Sequence, residues 1–206
     1  MACGLTVVTP HVEEPVTLAE AKLYVRIDLT DDDTLVTSLI AAGRQRCERV
    51  SGRALCTQTW KLTLDQFPGS NQGDPLEGPG FFAWGAGQGP IRLPRAPAQS
   101  VASIQYTDGA GNLQTLPATQ YYVDVTAEPA RIFPAYGTLW PVTLWRAGAV
   151  AVTFTAGYGP ASAVPDEIKS RVKAYVAYVY REREDADEDF LERLFSNFSY
   201  GGYTGC

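Results

Sequence analysis

The sequence predicts an α+β fold: a small helical bundle, made of a helix pair plus a long C-terminal helix, with an inserted antiparallel β-sandwich or barrel-like module. Three patterns predict it. Residues 17–53 carry apolar groups at helical spacing in two runs split by acidic residues, residues 60–154 show short period-2 alternations between turn signals, and helical spacing returns after Pro165. The matching division is 1–56 as an N-terminal helical part, 57–160 as the inserted β-rich domain, 161–196 as the C-terminal helical part that completes the bundle, and 197–206 as a flexible tail.

Thr17 and Glu20 have capping-box spacing, so a helix starts there and runs along Leu18, Ala21 and Val25. The carboxylates from Asp28 to Asp33 interrupt it and suit the positive end of a second helix. Along that helix Val36, Ile40, Gly43, Cys47 and Val50 form a stripe widened by Leu35 and Leu39, with Arg44, Gln45, Glu48 and Arg49 outside it. Gly52 is placed to end it in a left-handed residue. Residues before Pro15 read as an extended lead-in whose Leu5, Val7 and Val8 are able to pair or pack.

Trp60, Leu62 and Leu64 alternate with Lys61, Thr63 and Asp65 as in a half-buried strand. Phe67 to Pro90 reads as a long loop containing Phe81, Phe82 and Trp84, which serve either as a contact surface of the β domain or as a satellite cluster under the loop. Ile104 and Tyr106, the turn residues Asp108 to Asn112 and the return at Leu113 predict a hairpin. Strands follow around Tyr121 to Val125, Arg131 to Phe133 and Val150 to Phe154, with Trp140 and Trp145 as core or rim packing. Pro165, Asp166 and Glu167 open a helix whose stripe of Ile168, Val172, Tyr175, Val176 and Val179 packs most economically on the first pair. The charged run 181–189 reads as a solvated face or turn before an amphipathic end piece of Phe190, Leu191, Leu194 and Phe195.

A chain of 206 residues holds a sizeable core, and a net charge of −6 argues against a general nucleic-acid binder. Cys3, Cys47, Cys56 and Cys206 lack C-x-x-C spacing and two of them lie at the termini, so neither a zinc site nor a disulfide framework is indicated, which fits a reducing cytoplasm. The N-terminus lacks a basic region and no window reaches 18 apolar residues, so a soluble, unexported protein is expected.

His11 is the sole histidine, which removes the commonest general base; no catalytic, cofactor-binding or metal-binding residue is assigned. Gly85 to Pro90 lacks the strand-before, helix-after context of a phosphate loop. Asp31 to Asp33 lack the ligand spacing of a calcium loop and read as a helix start. Arg44, Arg46, Arg49 and Arg53 cluster on the second helix; Glu48 among them and the lack of interleaved aromatics favour a protein-facing role, such as a subunit interface, or a solvated one, over nucleic acid. Trp84, Trp140 and Trp145 in a loop-rich β region leave an alternative open, a non-catalytic β-sandwich module that binds carbohydrate or protein.

The order of P-V-T-L-x-E-A-K at Pro15 to Lys22, an acidic turn, S-G-R-A-L at Ser51 to Leu55 and T-Q-T-W at Thr57 to Trp60 resembles the tailed-bacteriophage head–tail connector (adaptor) family, β-rich subgroup, also found in gene-transfer-agent-like particles. The runs Ala130 to Gly137, Val152 to Gly159 and Val164 to Ile168 extend the resemblance over most of the chain. It implies a non-catalytic structural protein of the virion neck, made in the bacterial host cytoplasm, without cofactor or membrane. The implied partners are eleven further copies in a dodecameric ring, the portal protein above, and a stopper or next neck protein below. DNA passes through the lumen without sequence-specific binding. The family's portal-reaching C-terminal segment maps here to Phe198, Tyr200, Gly201, Gly202 and Tyr203, with the tyrosines as anchors.

Overall fold

A computed structural model describes residues 3–68 and 89–199, apart from the Glu184 side chain. The loop candidates Phe81, Phe82 and Trp84 and the tail candidates Tyr200, Gly201, Gly202 and Tyr203 lie outside the described residues. The chain forms two compact units, one of residues 3–9 and 59–156 and one of residues 10–58 and 157–199.

The second unit is helical. Its helices are α1 (Leu18–Val25), α2 (Asp33–Ser51), α3 (Asp166–Glu182) and α4 (Glu188–Ser196), and they pack on one another as the apolar stripes require. The capping box forms: the Glu20 amide donates to Thr17 Oγ1 at 3.2 Å and the Thr17 amide to Glu20 Oε2 at 2.8 Å. Those bonds favour the carboxylate and hold the Glu20 pKa below its ordinary value. Gly52 ends α2 at φ 71°, as its position predicts. Val36, Ile40 and Cys47 are buried with Ile168, Val172 and Val176 of α3, whereas Leu35, assigned to the stripe, stands partly in water. Gly43 marks a close helix crossing, because a Cβ there would lie 2.8 Å from the Tyr175 ring.

Two acidic residues at the start of α2 brace the bundle. Asp33 accepts from Lys22 Nζ of α1 at 2.6 Å, and Asp32 accepts from the Tyr180 hydroxyl of α3 at 2.6 Å, a bond that pushes the Tyr180 pKa up. The charged run after α3 likewise has a local role: Asp187 caps α4 by accepting from the Asp189 amide, and Glu188 and Asp189 occupy its first turn. Leu191, Leu194 and Phe195 of α4 are buried.

The Gly157-Tyr158-Gly159 turn lies against residues 55–57, with the Tyr158 amide donating to Leu55 O and the Thr57 amide to Gly159 O. At Gly157, φ is 130° and a Cβ would sit 2.5 Å from the Cys56 carbonyl oxygen, so no side chain fits.

The first unit contains a five-stranded sheet, in the order β1 (Cys3–Thr9), β2 (Gln58–Leu64), β8 (Val150–Ala156), β4 (Ala98–Thr107), β5 (Leu113–Thr115). A three-stranded sheet has the order β3 (Ile91–Arg92), β7 (Arg131–Pro134), β6 (Tyr121–Asp124). Trp60, Leu62 and Leu64 of β2 and Val150, Val152 and Phe154 of β8 are buried, as their alternation predicts. Asp108 closes the β4–β5 hairpin, accepting from the amides of Ala110 and Asn112. The lead-in is a strand in its own right, antiparallel to β2 with Leu5 opposite Leu62. Residues 91–92, not assigned to a strand from the sequence, pair with β7.

Two expectations need correction. Trp145 is 99% exposed rather than packed, while Trp140 is buried and stacked on Phe67 at 4.9 Å. Cys3 is disulfide-bonded, against the expectation of no disulfide; Cys47 and Cys56 are free, buried thiols.

Candidate functional site

Of the four arginines expected on the second helix, Arg44, Arg46 and Arg49 lie on α2, whereas Arg53 falls just past its Gly52 stop, and the four divide by what they touch. Arg44 is buried, although its spacing puts it off the apolar stripe, because it lies between two carboxylates: its Nε donates to Glu14 at 2.8 Å and its Nη1 to Glu48 at 2.9 Å. Glu48, also buried, further accepts from the Leu55 amide at 3.0 Å and from Gln58 Nε2 at 2.6 Å. Every oxygen of this buried carboxylate therefore has a donor, which is the condition for placing a charge there. Glu14 reaches on to His11 at 3.2 Å.

Arg46 and Arg53 hold the C-terminal segment. Arg46 pairs with Glu188 at 2.6 Å and also donates to its backbone carbonyl, and Arg53 Nε donates to the carbonyl of Phe198 at 2.9 Å. The Phe198 side chain packs against the helical core. Arg49 is exposed and has no hydrogen-bond or ion-pair partner among the described residues. The arginines are thus brought together in sequence but not in role: three bind this chain's own groups and one faces solvent.

The chemistry on offer is poor in reactive groups. Burial pushes the Cys47 thiol up to about 12 and the Cys56 thiol to about 11, which keeps both protonated and unreactive at neutral pH. Among the described residues no cluster of three or more His, Cys, Asp or Glu is placed to hold a metal ion, and no helix is long and apolar enough to cross a membrane. A shallow cavity of about 230 Å³ in the helical unit is lined by Glu13, Glu14, Val16, Leu18, Ile40 and neighbours. Its carboxylates are already engaged, Glu13 by the Ala161 amide and Glu14 by Arg44.

Solved structures match 98% of the chain. One chain of the virion of a native gene transfer agent particle gives a TM-score of 0.72 at 23% identity, over 98% of each chain. The fold is shared with chains of gene transfer agent particles. A chain from the neck of an empty particle, determined with C6 symmetry, gives 0.71 at 22% identity over 98% of each chain. One from the neck of a native particle, determined with C12 symmetry, gives 0.64 at 20% identity, again over 98% of each. No protein-family model matches the sequence, and no curated protein matches it.

Sequence reasoning missed two features of the β unit. On β6 and β7, Tyr122 stacks on Phe133 at 5.1 Å beside the Arg131–Asp124 pair at 2.6 Å. Between β7 and β8, Tyr136, Leu139, Val142 and Trp145 are all at least 73% exposed. Alternation betrays the first only once the register is known, and nothing in a Gly- and Pro-flanked apolar segment distinguishes outward from inward groups. The sugar-binding alternative loses Trp140, whose ring is covered by Phe67 and whose Nε1 donates to Gly89 O.

Proposed function

We propose that the chain is a structural adaptor of a phage-like neck, forming a ring, of twelve copies, beneath the portal and joining head to tail around the DNA exit channel. The observation that carries this reading is the full-length match to neck chains, covering the helical part and the β module together and including a neck determined with C12 symmetry. A stopper or further neck protein docks below, DNA crosses the lumen without sequence-specific contact, and no catalysis is assigned. The net charge of −6 suits a lumen that must not retain DNA. The protein is made in the host cytoplasm and works in the virion.

In this reading Phe198 stays against the helical core and the tail beyond it, with Tyr200, Gly201, Gly202 and Tyr203, reaches the portal. Arg53 fixes where it starts, and Tyr200 and Tyr203 supply aromatic anchors for a partner groove or sheet edge. Arg49 remains a subunit-interface residue, since its guanidinium is the one on α2 left to solvent among the described residues. The test is to mix the purified chain with portal assemblies and image them. A symmetric ring at the portal base is expected, and the double substitution Tyr200→Ala/Tyr203→Ala lowers portal affinity without changing the circular dichroism spectrum. A wild-type chain that stays monomeric and off the portal at every concentration refutes the proposal.

A further inference from the structure

The segment between β7 and β8 is held in place while its large apolar groups point outward. The Ala135 amide donates to Gln120 O, Trp140 is stacked on Phe67, Thr143 bridges to Asp108, and the Leu144 amide donates to Thr107 O at 3.0 Å. Between those fixed points Tyr136, Leu139, Val142 and Trp145 stand in solvent. Arg146 follows, exposed, with only a 3.5 Å contact to the neighbouring Ala147 carbonyl among the described residues. An ordered segment with four large apolar side chains in water marks an interface.

The helical unit carries a patch of opposite sign. Around the end of α1, Leu23 is 81% exposed and Leu29 70%, with Tyr24 half exposed. Asp28 and Asp31 sit among them, exposed and without a hydrogen-bond or ion-pair partner among the described residues, whereas Asp32 and Asp33 are engaged by Tyr180 and Lys22.

We propose that these two patches are the two halves of a head-to-tail contact between successive copies of this chain, the Tyr136–Arg146 segment of one copy seating on the Leu23–Asp31 region of the next. Each patch has apolar groups to bury; Arg146 makes the first positive, and in the second Asp28 and Asp31 outnumber the exposed Arg26, so the net signs are complementary. Two different patches on one chain make a heterologous interface, which closes into a ring when its rotation divides a full turn. The inference rests on the ring reading and assigns its contact surface to a second copy.

The test uses the full-length chain in sedimentation velocity, alone and with portal assemblies. Trp145→Ser/Arg146→Glu removes one half and Leu23→Ser/Asp31→Arg the other; both sites are exposed, so circular dichroism stays wild-type. Each variant alone is expected to remain monomeric where wild type forms rings, and an equimolar mixture to stop at a 1:1 dimer, because one intact pair of patches remains and the other, though its reversed charges match, has lost both the Trp145 and the Leu23 side chains. The exchange Arg146→Glu/Asp31→Arg within one chain restores rings, while either single reversal raises the concentration needed by about tenfold. Rings from either patch variant alone, monomers only in the mixture, or normal rings with lost portal binding overturn the assignment while leaving the ring itself standing. A wild-type chain that never forms a ring overturns both.

Discussion

Replacing Arg44 with methionine tests whether the buried charges of the helical unit work as one network. The change keeps much of the side-chain volume and removes the cation that lies between Glu14 and Glu48. Breaking a buried pair by deleting one partner costs about 3–5 kcal/mol, because the other charge stays behind unpaired. Two features reduce that here. Glu48 keeps the Leu55 and Gln58 donors, and the Glu14 side chain is 29% exposed, so water compensates that end. The expected loss is about 2–3 kcal/mol. Adding Glu48→Gln removes the stranded charge while keeping an acceptor for the Leu55 amide, so the double variant is more stable than Arg44→Met alone. All four tryptophans lie between residues 59 and 156, so their fluorescence reports the β unit, whereas the far-ultraviolet signal at 222 nm is dominated by the helices. Urea titration followed by both probes reads the effect on the helical transition. A loss below about 1 kcal/mol, or a double variant less stable than the single one, refutes the network.

Gly157→Ala places a Cβ against the Cys56 carbonyl at a backbone angle that side chains rarely adopt, so a loss above about 3 kcal/mol or failure to fold is expected in denaturation. Thr126 and Arg131 hold the Asp124 carboxyl at about 2, below its ordinary 3.8. The unfolded chain therefore takes up that proton first, and stability falls as pH drops from near 3.8 towards 2; Asp124→Asn flattens that part of a pH series of urea midpoints, and an unchanged slope contradicts it. Cys47 and Cys56 resist iodoacetamide at pH 8.5 in the native protein and react after unfolding, as peptide mass spectrometry will show. Because their pKa values are raised, the stability they contribute is present below about 9 and is lost as pH rises towards 11 and 12.

What the sequence revealed is what local chemistry controls. The Thr17–Glu20 box, the Gly52 stop, the Asp108 hairpin and the alternations of β2 and β8 each depend on residues within a few positions of one another. The burial of Arg44 and Glu48 does not. It depends on Glu14, thirty residues before Arg44, and on residues 55–58 folding back over α2, and helical spacing carries no record of either. For β3, two residues are too few for a period, and pairing with β7 alone defines the strand. Core or rim packing is the expectation for Trp145 because hydrophobicity ranks residues by their tendency to be buried, and that ranking does not say against what.

The proposed adaptor role calls for partner-binding groups presented from fixed positions, since each degree of freedom left in a binding segment costs ordering entropy when the partner arrives. Arg44 clamps the segment before α1, while Arg46 and Arg53 clamp α4 and the chain at Phe198, so α2 and the residue just past its Gly52 stop hold two stretches remote in sequence. The clamps are charge-assisted bonds, stronger than neutral ones and directional, which sets orientation better than apolar contact does. Apolar packing alone would stabilise the bundle equally well. Arg46 and Arg53 add fixed positions for Glu188 and for the chain at Phe198, and under the proposed role a tail that starts from a fixed point searches a smaller volume for its groove.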